Sequence, residues 1–138
     1  MIRAVLLATA ALAAPPADPA GHWQTVNRAD NAPAGVVRLQ VVNGELGGWI
    51  EQIYDPARRT LRCTRCDGPQ HNQPFLGLQI LHGLHPDGES WTGGTVLDPD
   101  TGRTYKATLR LVDHDHLLIR GYLGISLFGG SQTWTRVD

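Results

Sequence analysis

Residues 116–137 read HLLIRGYLGISLFGGSQTWTRV. Two apolar runs, residues 117–123 and 132–137, flank a glycine-rich connector at residues 124–130 that carries apolar residues of its own. Apolar runs this short, bounded by turn-forming residues, read as strands rather than helices. The stretch is therefore expected to supply the last two strands of a closed sheet, joined by a short packed link. Working back from it, the polar residues 113–115 form a turn. Residues 104–111 then set Tyr105, Ala107, Leu109 and Leu111 against Thr104, Lys106, Thr108 and Arg110. That period of two puts the apolar set on one face of a strand. Asp98-Pro99-Asp100-Thr101-Gly102 spells a tight turn, because proline presets φ while aspartate and glycine tolerate the bend. Residues 91–97 before it form another strand.

Further upstream, residues 82–90 (HGLHPDGES) are polar enough to read as a loop, preceded by a short strand at residues 75–81. Residues 55–67 are a connection. Residues 45–54 form a strand whose Gly47-Gly48 pair suggests a bulge, a common way of curving a strand into a barrel. Asn43-Gly44 is a two-residue hairpin signal, since a type I′ turn needs positive φ at both positions. Residues 36–42 alternate Val37, Leu39 and Val41 with Arg38 and Gln40. Residues 27–34 are a polar loop, and Gly21-His22-Trp23 opens the ordered chain with a large ring suited to covering a barrel end. The sum is about eight short strands joined mostly by hairpin-length turns, with no helix beyond a turn or two. The expected fold is all-β, an eight-stranded antiparallel up-and-down barrel. Sequential hairpins favour a barrel over a sandwich, and closure removes exposed sheet edges.

The chain has 138 residues, within one domain by length. Residues 1–13 carry Arg3, an apolar run at residues 5–12 and the small-x-small sequence Ala11-Leu12-Ala13. That is the pattern of a secretory signal peptide cleaved after Ala13 or one residue later. The run is too short to span a bilayer, which takes about 20 apolar residues. Residues 14–20 follow as a flexible spacer in which nothing asks to be buried, and residues 21–138 form the barrel domain. The mature protein is expected to be exported, periplasmic or secreted, with no transmembrane segment. With 12 Lys and Arg against 13 Asp and Glu the formal charge is −1, and loss of Arg3 makes it −2. The charges are mixed along the chain with no basic stripe. That argues against nucleic acid as a partner, because phosphate neutralisation needs clustered cations. It also argues against docking on an anionic membrane.

The sharpest chemical feature is Cys63-Thr64-Arg65-Cys66. An even cysteine count in an exported chain favours a disulfide. So small a ring would contribute only about 2 kcal/mol by loop entropy and would act mainly on local shape. Two alternatives remain. A redox-active pair normally sits at a helix N-terminus, which this all-β pattern lacks. A metal site would need further ligands such as His71, His82 or His85; on a regular strand the last two would point to opposite faces. His114 and His116, beside Asp113 and Asp115, read as a solvated turn. Ser90, Ser126 and Ser131 lie in no nucleophile elbow. Gly93-Gly94 and Gly129-Gly130 lack the context of a phosphate cradle. No catalytic residue, metal site or cofactor is expected. Trp49, Trp91, Tyr105, Tyr122 and Trp134 fall within strands, so several should point inward, as plain core or as the wall of a ligand site. Arg120 stands inside an apolar strand. It is read first as a cation stacked on Trp23 or Trp134, and otherwise as an outward residue or an anchor for a ligand carboxylate. Trp23 and Arg136 are assigned to the structure of the barrel end.

The order of these segments resembles a bacterial family of exported proteins catalogued as domain of unknown function 2147. The resemblance rests on Gly21-x-Trp23, Cys63-x-x-Cys66, Pro74-Phe75-x-Gly77-Leu78, Trp91-x-Gly93-Gly94 and Leu97-Asp98-Pro99. It continues through Gly102-x-x-Tyr105, Arg120-Gly121-Tyr122-x-Gly124 and Trp134-x-Arg136, nearly the whole mature chain. It implies an exported, lipocalin-like barrel with no established activity. Residues 27–34 carry neither the acidic cluster nor the lysines expected in that family, so no role is transferred to that loop. The expected function is a non-catalytic barrel that binds a small apolar or amphipathic ligand or acts in the cell envelope. The alternatives are a metal- or redox-active protein using Cys63 and Cys66, and a protein-interaction module.

Overall fold

The computed structural model describes residues 18–122 and 130–138; the proposed signal peptide and the glycine-rich connector after Tyr122 lie outside them. The strands are β1 (Gly21–Val26), β2 (Pro33–Val42), β3 (Glu45–Ile53), β4 (Gln79–Asp87), β5 (Ser90–Asp98), β6 (Arg103–Asp113), β7 (His116–Tyr122) and β8 (Ser131–Arg136). Each pairs antiparallel with its neighbours in sequence order. β8 returns to β1 through Trp23↔Arg136 and Gln24↔Thr135, which closes an eight-stranded up-and-down barrel. Two short 3-10 turns, Pro56–Arg58 and Gly68–Gln70, lie in the connection between β3 and β4.

Local chemistry explains the hairpins. Asn43 and Gly44 have φ of 53° and 77°, as the β2–β3 turn requires. On β6 the alternation is obeyed: Ala107 and Leu109 are buried, while Lys106 and Arg110 are exposed. The register of β3 against β4 breaks on both sides of Gly48. A side chain there would press to 2.8 Å from Leu39 and 3.0 Å from Leu81, so glycine lets the wall curve over an interior already filled.

The expected loop at residues 82–90 is a strand instead, and the strand expected at 75–81 begins later. β4 runs to Asp87, and only Gly88 and Glu89 turn the chain into β5. Composition misleads here because the polar residues sit on a paired strand. Pro86 pairs with Trp91 of β5 but lies beyond Leu46↔Leu84, where the β3 pairing stops, so its missing N–H costs nothing on that side. Gly83, at φ 67°, adds a bulge that turns both Leu81 and Leu84 inward, each fully buried. His82 and His85 therefore share the outer face rather than pointing to opposite faces. They turn to different partners, Gln70 at 3.3 Å and Glu45 at 3.6 Å.

The densest packing gathers at the barrel end bearing the β2–β3, β4–β5 and β6–β7 turns. Trp23, Leu39, Leu46, Leu84, Leu109 and Leu117 are fully buried there. The chain before β1 covers this end. Trp23 Nε1 donates to the Pro19 carbonyl at 2.9 Å, and Pro19 is itself fully buried. The last part of the expected spacer is thus a plug, because an indole N–H buried in a core requires an acceptor. Arg136 secures it. Its guanidinium lies 4.4 Å over the Trp23 ring and donates to the carbonyls of Ala20 and His114, both at 2.8 Å.

Candidate ligand cavity

The opposite end is built differently. It is formed by the β1–β2 loop, the long β3–β4 connection, the β5–β6 turn and the start of β8. Between them lies a cavity of about 450 Å³. Its wall is apolar, with Val37, Ile50, Ile80, Val96, Ile119 and Trp134, and its rim carries Arg28, Gln52, Asp55, Arg58 and Asp100. The volume falls within the range of small-molecule sites.

The β3–β4 connection owes its shape to a Cys63–Cys66 disulfide, Cα to Cα 5.3 Å. Both cysteines are buried. Around them Cys63 N–H donates to Gln73 O, and Asn72 N–H donates to Cys63 O, each at 2.8 Å. With the sulfurs bonded to each other, neither offers a thiolate to a metal. The loop packs on the β5–β6 turn, where Cys63 Sγ lies 3.5 Å from the Pro99 carbonyl oxygen. Arg58 adds an ion pair to Asp100 of that turn. Gly102 is the tightest point, because a Cβ there would overlap the Arg65 carbonyl, and its φ is 75°. Gly102→Ala should therefore lower stability by about 2 kcal/mol or more, since strain and overlap act together. A urea melt followed by circular dichroism checks this; an unshifted midpoint would show that the loop yields freely.

The six residues expected at a ligand site separate. Tyr105 and Trp134 line the cavity. Trp91 points inward at the packed end, paired with Leu109, and its Nε1–H is buried without a partner among the described residues. Trp49, Arg120 and Tyr122 sit on the outer face. Trp49 lies under the Arg38 guanidinium at 4.7 Å. Arg120 is exposed opposite Thr108, and Tyr122 is opposite Lys106. The cation stacked on Trp23 is Arg136, not Arg120. Ile50, Ile80, Val96 and Ile119 were missed as cavity residues; strand alternation would have pointed Ile119 inward with Leu117, whereas Val96 faces the cavity only because the register shifts between Trp91 and Gly94. Nothing in the sequence signalled Arg28.

The histidine-rich turn stands apart, at the plugged end. Asp113 accepts from His116 Nδ1 at 2.8 Å. That hydrogen bond, with help from the Asp115 backbone N–H, holds the Asp113 carboxyl below its ordinary range. Asp115 faces His114 at 3.0 Å. Among the described residues no group of three His, Cys, Asp or Glu side chains is placed to hold a metal, and no helix is long and apolar enough to cross a membrane.

A closed eight-stranded antiparallel barrel, packed at one end and with a cavity among the described residues at the other, is a lipocalin-like barrel. The chain belongs to the bacterial family described as "Uncharacterized protein conserved in bacteria (DUF2147)", whose model matches residues 21–136. It is also similar to a solved structure described as "Protein HP1028 from the human pathogen Helicobacter pylori belongs to the lipocalin family". The TM-score is 0.75 at 20% identity, covering 88% of this chain and 84% of that one. At that identity the likeness concerns the fold alone. None of the curated proteins matches the sequence.

Proposed function

We propose that the protein is an exported, non-catalytic barrel of the bacterial periplasm that carries a small apolar or amphipathic ligand in the cavity at the end opposite the Trp23 plug. The observation that carries the proposal is the cavity of about 450 Å³ with an apolar wall and a polar rim. An interior lined by Val, Ile and Trp side chains gains by exchanging water for hydrocarbon. Export is supported by the pattern of residues 1–13 and by the disulfide, which persists in oxidising compartments.

Native mass spectrometry of protein purified from its own host tests both parts. A non-covalent adduct should be present, should leave on denaturation, and should be absent from Ile119→Trp, whose larger ring fills the cavity. The denatured mass should correspond to a chain starting at Ala14 or Pro15 with its disulfide intact. A clean apo mass, combined with failure of the purified protein to take up an apolar fluorophore, would overturn the binding proposal. A chain retaining residues 1–13 would overturn export.

A further inference from the structure

Building on the proposed ligand cavity, we infer that the ligand is an amphipath with an anionic, hydrogen-bond-accepting head, a carboxylate or a phosphate. The head would be held at the β1/β8 side of the mouth by Arg28 and Gln132. The apolar wall accepts a hydrocarbon tail whatever the head is, so the polar groups at the mouth decide. Asn27, Asn31 and Gln52 can both donate and accept, whereas the Arg28 guanidinium can only donate.

Gln132 is fixed by its neighbour. Trp134 Nε1 lies 2.9 Å from the Gln132 side chain, and an indole N–H can only donate. The carbonyl oxygen of Gln132 must therefore face the indole, leaving its NH₂ group to donate elsewhere. Both residues line the cavity. Tyr105, on β6 beside the β5–β6 turn, lines it too. Arg28 lies against the start of β8. Its Nη2 and Nε would be 3.4 and 3.6 Å from a Cβ built on Gly130, so the missing side chain leaves room for the guanidinium. Among the described residues no carboxylate lies within ion-pair distance of it, whereas Arg58 is paired with Asp100.

The acids of the mouth lie across it, each with one carboxylate oxygen already engaged. Asp55 accepts from Ala57 N–H and Asp98 from Asp100 N–H, each at 3.0 Å, and Asp100 is held by Arg58. They follow β3 and β5, while Arg28 follows β1 beside β8. A cationic head would compete with Arg58 and with turn N–H groups. On the β8 side an anion meets a guanidinium and an amide with hydrogens to give.

The test uses delipidated mature protein and four probes below their micellar concentrations: dodecanoate, dodecyl phosphate, dodecanol and dodecyltrimethylammonium. Affinities are read by calorimetry, supported by tryptophan fluorescence. At least one anion should bind about tenfold or more tightly than dodecanol, as expected for charge-assisted hydrogen bonds. The gap should narrow as salt is raised. Arg28→Gln should bring that anion down to the affinity of dodecanol, and Arg28→Lys should keep part of the gap. The tighter of the two anions tells carboxylate from phosphate. Equal binding of dodecanol, tightest binding of the ammonium probe, or an anion preference surviving in Arg28→Gln would each overturn the head-group assignment while leaving an apolar cavity standing. If none of the four binds, the ligand-carrying function fails with it.

Discussion

Trp23→Ala should destabilise the barrel by roughly 3–5 kcal/mol, the range seen when a large aromatic side chain is removed from a core. For a domain of this size that corresponds to a fall in Tm of roughly 10–20 °C. The effect is large because the ring has three roles. It fills the centre of the packed end with no solvent exposure. Its N–H ties down Pro19, and its face supports the Arg136 guanidinium. Trp23→Phe should cost less, since it keeps most of the volume but leaves the Pro19 carbonyl without its donor. Arg136→Ala in the two backgrounds then separates the stacking: its cost should be smaller once Trp23 is gone, because the ring it caps is absent. Urea denaturation of the variants measures all of this. A loss below about 1 kcal/mol for Trp23→Ala would mean that the plug is held by the hairpins alone and that the ring merely fills space.

The contrast between the two barrel ends also shows what could be read from the residues before the structure. Alternation on β6 and the Asn43-Gly44 turn were legible because each is a local signal: period two for a strand, positive φ for a type I′ turn. The Trp23–Arg136 end was legible as a pair of unusual residues near the two ends of the chain. What misled were residues whose meaning depends on where neighbouring strands stop. Pro86 and the histidines of β4 look like loop until the β3 pairing is seen to end at Leu84. Pro19 looks like spacer until an indole needs its carbonyl. The ligand site was read from ring size, which chose Trp49 and Tyr122 on the outer face and passed over Ile50, Ile80 and Ile119. Which face a strand residue takes is a property of register, and register at a barrel wall is set by bulges such as Gly48 and Gly83. Arg28 gains its place only because Gly130, distant in sequence, leaves room beside β8.

Deleting residues 132–138 should abolish cooperative folding altogether. The truncation removes nearly all of β8, which pairs with both β7 and β1. Both neighbours then become open edges whose unpaired N–H and C=O groups are available to other chains. The buried Trp134 goes as well, a side chain whose loss alone is worth about 3–5 kcal/mol. So does Arg136, which binds the N-terminal segment over Trp23. Against a total stability of roughly 5–15 kcal/mol for a single domain, these losses together leave no stable closed state. The truncated chain should show no sigmoidal urea transition, no near-ultraviolet circular dichroism of fixed aromatic rings, and a tendency to associate. A control ending at Arg136 removes only the last residues, including the Val137 N–H that donates to His22 O at 2.9 Å, and should stay folded. A deletion of 132–138 that remained monomeric with a sharp unfolding transition would show that seven strands can close without the eighth. The Arg136 clamp would then be an accessory to the barrel rather than the lock that completes it.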